Sequence, residues 1–321
     1  MITNGILNIN KPQNMTSHDV VAICRRVLGI KKIGHTGTLD PMATGVLPVC
    51  INRSTKIIEY LDTDIKKYSC TMQLGLQTDT QDIWGTEISR NDVETSEEAI
   101  KAAFSKFVGI IDQKPPMYSA IKVNGKRLYE YAREGKTVDV KSRKIFIKSI
   151  DVEDVDLEGD EKTVTFSVEC SKGTYIRTIC QDVGNEIGCS ATMTRLERTA
   201  SGIFTIDKAV DIETLRNMST EEIEPLLYKA EDALDKFGII KTGEFSGLKF
   251  INGNPLPKHK GEIISEPYYA DRDFYLPVSD TYRKGYRIFA PVDGEEQFLG
   301  IGVFDDDNKH YKADKIFHIR G

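Results

Sequence analysis

Along TSHDVVAICRRVLG at 16–29, apolar positions recur at helical spacing, with Val20, Ile23, Cys24, Val27 and Leu28 on one face. Thr16 or Ser17 supplies a capping oxygen and Gly29 a stop, so the stretch predicts an amphipathic helix. Residues 95–109 repeat the pattern through Ile100, Ala103, Phe104, Phe107 and Val108, with Thr95 and Glu98 at capping-box spacing and Gly109 at the end. Strict alternation marks strands. In 68–74, Tyr68, Cys70, Met72 and Leu74 oppose Ser69, Thr71 and Gln73; in 164–170, Val164, Phe166, Val168 and Cys170 oppose Thr165, Ser167 and Glu169. The segment SKGTYIRTICQDVGNEIG then returns to helical spacing through Ile176, Ile179, Cys180, Val183 and Ile187 and closes at Gly188.

Helices and strands mix without a regular βαβ repeat or an internal period, which reads as an α+β fold. Composition shifts near KFGIIKTG at 236–243. Beyond it, short alternations are broken by the turns NGNPLP, DGEE and DDDN, which predicts a β-rich domain of about eighty residues. The expected division is 1–237 and 238–321. Asp305–Asp307 lacks a calcium-loop pattern and reads as the turn after the strand FLGIGVF.

With 321 residues and 40% hydrophobic side chains, the chain can bury a proper core. No apolar run reaches about eighteen residues, and MITNGILNINKP has no basic region leading into an apolar one, so a soluble cytoplasmic protein is expected, with no membrane partner. Six cysteines (Cys24, Cys50, Cys70, Cys170, Cys180, Cys189) form no C-x-x-C pair and read as reduced core thiols. Five histidines (His18, His35, His259, His310, His318) never fall at metal-ligand spacing, so no metal is expected.

The net charge of −6 argues against a polyanionic partner until its distribution is examined. Residues 151–161 hold seven acids and no Lys or Arg, and 207–235 hold nine acids against three bases. By contrast, 114–148 carry ten bases against three acids, and 1–60 carry seven against three. Within KPPMYSAIKVNGKRLYEYAREG, Tyr118, Tyr129 and Tyr131 interleave with Lys122, Lys126, Arg127 and Arg133. Rings that stack on bases and cations that hold phosphates suit unpaired RNA, although Tyr129 also suits helix packing.

Gly34, Gly37 and Gly45 bracket one carboxylate, Asp40, in KKIGHTGTLDPMATGVLPV. The P-loop spacing, G-x-G-x-x-G and G-x-S-x-G are all missing, so neither a nucleotide cofactor nor a serine elbow is supported. On its own an Asp-Pro step reads as a turn residue bonding its own backbone.

These segments occur in an order that resembles the bacterial TruB-type tRNA pseudouridine synthases over almost the whole chain. NGILNINKPQNMTSHDVV resembles the opening motif of that family, GHTGTLDPMATGVLPV the catalytic-aspartate motif, and KKYSCTMQLG the tyrosine-bearing strand. QKPPMYSAIKVNGKRLYEYAREG resembles the insertion that grips the tRNA T-arm, KGTYIRTICQDVG the arginine motif, and RLERTASGIF the motif closing the pocket. The final segment, with GLKFINGNPL and FLGIGVF, resembles a PUA RNA-binding domain.

The resemblance implies a catalytic domain with a mixed or antiparallel central sheet flanked by helices, and isomerisation of one T-loop uridine, position 55 of tRNA, to pseudouridine, by base flipping and without a cofactor. It implies that Asp40 is the essential nucleophile, toward ribose or base, that Arg177 pairs with it, and that Tyr68 lies against the uracil. Burial under a substrate pushes an aspartate toward its neutral form, which a neighbouring cation opposes. Without the resemblance, Arg177 reads as a surface cation on a helix and Tyr68 as a core residue. Tyr175 and Leu196 match pocket-lining positions, Lys11 a support for the loop or a phosphate, and His35 the residue at the site of extrusion. Lys126 and Arg127 are expected to grip the T-arm, with tRNA the partner of a monomer that needs no protein partner. One departure is Glu197, which stands in RLER where a basic residue is expected. A tRNA-remodelling binding protein and a guide-RNA-dependent enzyme of the archaeal and eukaryotic type are the alternatives. The intact Asp40, Tyr68 and Arg177 set disfavours the first, and the short N-terminus and the basic segment at 122–144 the second.

Overall fold

A computed structural model describes residue 2 and residues 4–61, 65–271 and 279–317; His318 lies outside the described residues. The first helix is Ser17–Leu28, capped by Thr16 in a full capping box with Asp19 and ended by Gly29 in the left-handed region. The second differs from its predicted extent. It is Glu97–Ser105, capped by Ser96 rather than Thr95, and Lys106 closes it by donating its N–H to the Ala103 and Phe104 carbonyls. Phe107 and Val108 leave the helical face because the chain turns there into the edge strand Gly109–Gln113.

Ten strands build one sheet. Its main path runs Val210–Asp211, Gly5–Lys11, Thr44–Ile51, Ala191–Ser201, Lys66–Leu74, Thr163–Cys170, Arg143–Asp156 and Gly109–Gln113. Gly5–Lys11 with Val210–Asp211, and Thr44–Ile51 with Ala191–Ser201, pair in parallel; the other neighbours are antiparallel, so the sheet is mixed. The predicted alternation holds: Tyr68, Cys70, Met72 and Leu74 enter the core with Val164, Phe166, Val168 and Cys170. Helix Ile176–Glu186 buries Ile176, Ile179, Cys180 and Val183 in the same core. All six cysteines are buried and unbridged; Cys70 Sγ and Cys180 Sγ approach to 3.6 Å.

A second sheet of six strands begins at Gly238 and has its own core around Ile240, Phe250, Leu256, Ile288, Leu299 and Tyr311. Helix Glu244–Ile251 packs against it through Phe250. The Asp305 side chain accepts from the Asp307 and Asn308 N–H groups and so builds the predicted turn after the strand Glu295–Asp305. The two bodies meet where Arg53 and Lys56 donate to the Phe317 and Ile316 carbonyls and Tyr60 packs on Phe237 and Tyr282. No described helix is long and apolar enough to cross a membrane.

Candidate active site

Asp40 lies in the loop between the strands Ile33–His35 and Thr44–Ile51, and the loop is clamped at nearly every other residue. Arg198 Nη2 donates to the Gly37 carbonyl at 3.0 Å. The Ser17 hydroxyl accepts from Leu39 N–H at 2.9 Å and faces the Leu39 carbonyl at 3.2 Å. Lys11 Nζ points at the carbonyls of Met15, Pro12 and Pro41 at 2.7, 2.9 and 3.3 Å, and Asn14 N–H also reaches Pro41. Gly45 admits this packing: its φ is +101°, and a Cβ there would lie 2.3 Å from the Arg198 carbonyl oxygen. A half-exposed carboxylate thus sits on an immobilised backbone.

Arg177, in the first turn of its helix, is the floor beneath it. It is not a surface cation: its side chain is 6% exposed, against 42% for Asp40 and 1% for Asp82. Nη2 is 3.2 Å from Asp40 Oδ2 and donates to the Tyr118 carbonyl at 2.7 Å, while Nη1 is 3.4 Å from Asp82 Oδ2. A planar guanidinium can hold two carboxylates and a carbonyl at once; an ammonium cannot fix their relative angles. Burial pushes the Asp82 carboxyl above its ordinary range, opposed by the Thr80 hydroxyl and by Arg177.

Tyr68 is buried beside Arg198, in register with it across the two strands. Burial raises the pKa of its phenol, with Arg198 opposing. Leu196, one strand over and opposite Cys70, is buried on the same sheet. Tyr175 caps the arginine helix and is gripped by Gln113, which bonds both its N–H and its carbonyl at 2.8 and 3.0 Å. Its ring lies 6.0 Å from the Arg177 guanidinium. His35 ends its short strand, its ring meeting that of His18 edge to face at 5.2 Å.

Of the two expectations for Lys11, loop support fits its geometry: it is fully buried, its three N–H bonds are directed at carbonyls, and burial lowers its pKa to about 8. Lys126 and Arg127 lie apart from the pocket, on a two-stranded hairpin leading into the helix Leu128–Arg133. Lys126 pairs with Glu134 and stacks over Tyr131, and Arg127 and Arg133 lie over Tyr129. Glu197 pairs with Arg195 at 3.6 Å, a local neutralisation of the unexpected acid.

Sequence reasoning missed Asp82 and Arg198. Asp82 sits in a turn-rich TDTQD segment that reads as an ordinary surface loop, and the Arg198 side chain reaches across to the Val46 and Gly37 carbonyls. Neither partner set is within reach of a local pattern. Among the described residues no cluster of His, Cys, Asp and Glu is arranged to hold a metal ion.

The chain matches the TruB family pseudouridylate synthase N-terminal domain over residues 25–176 and the tRNA pseudouridylate synthase B C-terminal domain over residues 177–236. It is 41% identical over 313 residues to a protein called tRNA pseudouridine synthase B from Clostridium novyi (strain NT), covering 98% of this chain and 99% of the relative. The protein of the same name from Clostridium tetani (strain Massachusetts / E88) is 42% identical over 292 residues, 89% of this chain and 98% of the relative. Among solved structures, a chain of the archaeal box H/ACA sRNP Nop10-Cbf5 complex superposes with a TM-score of 0.71 at 22% identity, over 98% of this chain and 86% of the other. That likeness concerns the fold.

Proposed function

We propose a site and a mechanism from one premise: this chain belongs to the TruB family of pseudouridylate synthases. It is an isomerase that converts uridine in tRNA to pseudouridine. Within that activity, Asp40 is the nucleophile and the T-loop uridine its target. The observation that carries this reading is the buried Arg177 bridge between Asp40 and Asp82.

The reaction breaks the glycosidic C1′–N1 bond, turns the uracil and joins C5 to C1′, with loss of the C5 proton and gain of one at N1. With Asp40 Oδ2 held by Arg177, Oδ1 remains for the reacting atom, ribose C1′ or a uracil carbon. Preorganised charge of this kind costs no rearrangement during the reaction. Tyr68 supplies the flat wall against which the uracil turns, and Tyr175 and Leu196 enclose it, limiting water at the broken bond. Extruding a base costs a few kcal/mol, and His35, steadied by His18, fills the space left in the RNA. Lys126, Arg127 and the tyrosines beside them hold the T-arm, and the sheet from Gly238 onward is a PUA-like RNA-binding unit. The protein acts as a monomer in the cytoplasm, without a guide RNA.

The test is mass-spectrometric mapping of pseudouridine in a bare tRNA transcript after incubation with the wild type and with Asp40→Asn. Pseudouridine at one T-loop uridine with the wild type alone is the expected result. Product formed by Asp40→Asn at the wild-type rate would remove the nucleophile assignment, and no product from either would remove the stand-alone reading.

A further inference from the structure

The turn that contributes Asp82 also carries an exposed aromatic side chain that the mechanism above does not use. Of the ten large apolar side chains exposed among the described residues, Ile83, Trp84 and Ile88 belong to this one hairpin, and Trp84, the single tryptophan of the chain, is 45% exposed. A tryptophan held rigidly beside two exposed isoleucines marks an interaction surface and calls for an occupant.

The display is rigid. Asp82 Oδ1 accepts from the Thr80 hydroxyl at 2.7 Å and from the Trp84 N–H at 3.2 Å, and the Asp82 carbonyl accepts from Thr78 and from Gly85 N–H. Asp79 closes the base of the turn by accepting from Thr86 N–H at 2.7 Å. A Cβ on Gly85 would meet Thr80 Oγ1 at 2.2 Å, so the turn is packed to its limit. Ile83 N–H is fixed to the Met193 carbonyl at 2.8 Å.

The same turn is wired into the active site at two points. Asp82 Oδ2 holds Arg177, which holds Asp40, and Asp79 accepts from the hydroxyl of Tyr118 at 3.4 Å, whose carbonyl also binds Arg177. One carboxylate therefore sets both the catalytic arginine and the backbone of Trp84. Tyr118, which bonds Asp79, also lies within electrostatic reach of Arg133, so the turn adjoins the segment bearing Lys126, Arg127 and Arg133, cations suited to phosphates. Stacking on an aromatic face accepts any unpaired base.

We infer that Trp84 is a stacking platform for an unpaired base of the substrate RNA close to the flipped uridine. This rests on the tRNA reading above. The turn then contributes twice to the same complex: it orients Arg177 and grips a neighbouring nucleotide.

Because Trp84 is the sole tryptophan, its fluorescence reports directly. Asp40→Asn, which holds the complex before turnover, is titrated with an unmodified T-arm stem–loop and with a blunt RNA duplex of equal length, while labelled-RNA anisotropy follows binding. The expected result is quenching of at least about twofold by the stem–loop and little by the duplex. In the wild-type background, Trp84→Ala raises Kd about tenfold, within the range for one base stacked, and Trp84→Phe recovers most of the loss. Unchanged fluorescence at saturating stem–loop, or a wild-type Kd for Trp84→Ala, overturns the inference while leaving the tRNA reading intact. Quenching that depends on protein concentration without RNA would assign the patch to a second copy of the chain and overturn it too. If anisotropy shows no binding of the stem–loop by the wild type, the tRNA reading falls and this inference with it.

Discussion

Arg177 and Asp40 form an asymmetric pair: Nη2 and Oδ2 are 3.2 Å apart, yet the arginine side chain is 6% exposed and the aspartate 42%. The charge that holds the carboxylate is shielded from water, and the carboxylate itself faces the opening. Removing one partner of such a contact leaves the other charge poorly compensated.

Arg177→Lys keeps the charge but not the three-way fork to Asp40, Asp82 and the Tyr118 carbonyl. The single-turnover rate is expected to fall about a hundredfold, with RNA affinity within about threefold, because the loss is in transition-state alignment. Rapid-quench assays at saturating enzyme check this. A rate close to that of the wild type would show that charge alone suffices.

Asp82→Asn removes the second carboxylate of the bridge and turns an amide toward Thr80 and the Trp84 N–H. An unmatched buried donor costs about 1–3 kcal/mol, so urea unfolding should show a loss in that range. The rate should fall about tenfold, since Arg177 keeps Asp40 but its second partner is no longer charged. Equal rates for the variant and the wild type would make Asp82 purely structural.

The amine of Lys11 gives opposite pH trends for activity and stability. Burial lowers its pKa from 10.5 to about 8. Below about 8 the ammonium offers three N–H groups to three carbonyls; above it the neutral amine offers two, and the Asp40 loop loosens. The single-turnover rate should therefore decline as pH rises through about 8. The unfolded chain binds the extra proton between about 8 and 10.5, so the contribution of this group to stability rises with pH over that window. Lys11→Met should be slow at every pH and should lack the alkaline decline.

Lys126→Ala with Arg127→Ala should make RNA binding less sensitive to salt. Each neutralised phosphate contributes about 0.7–0.9 to the slope of log K against log salt, so the double variant should lose about 1–2. Lys126 already pairs with Glu134, which places the expected loss nearer the lower figure. Filter binding across a salt series reads the slope directly, and an unchanged one would move the T-arm contact elsewhere.

Gly45→Ala should destabilise the protein by about 3 kcal/mol, through a left-handed φ of +101° and a methyl 2.3 Å from the Arg198 carbonyl oxygen. Chemical denaturation measures this. Activity should fall with it, because Arg198 also holds the Gly37 end of the Asp40 loop.

The periodic elements and the family were legible in the order of residues alone. The alternation of Tyr68 to Leu74 and of Val164 to Cys170, and the helical stripe from Ile176 to Val183, survive folding because each buries one face, and that requirement is written at short range. The same ordered motifs named Asp40, Tyr68 and Arg177. It takes the folded chain to show that Arg177 is buried, that Asp82 shares it, that Arg198 holds the Gly37 carbonyl and lies beside Tyr68, and that Lys11 faces carbonyls. Folding also ended the second helix at Ser105, where an edge strand had to begin. Arg177 and Asp82 are separated by 95 residues, and Arg198 and Gly37 by 161. No local spacing encodes such contacts; they arise when the sheet brings distant strands side by side and a buried charge must find its partner there.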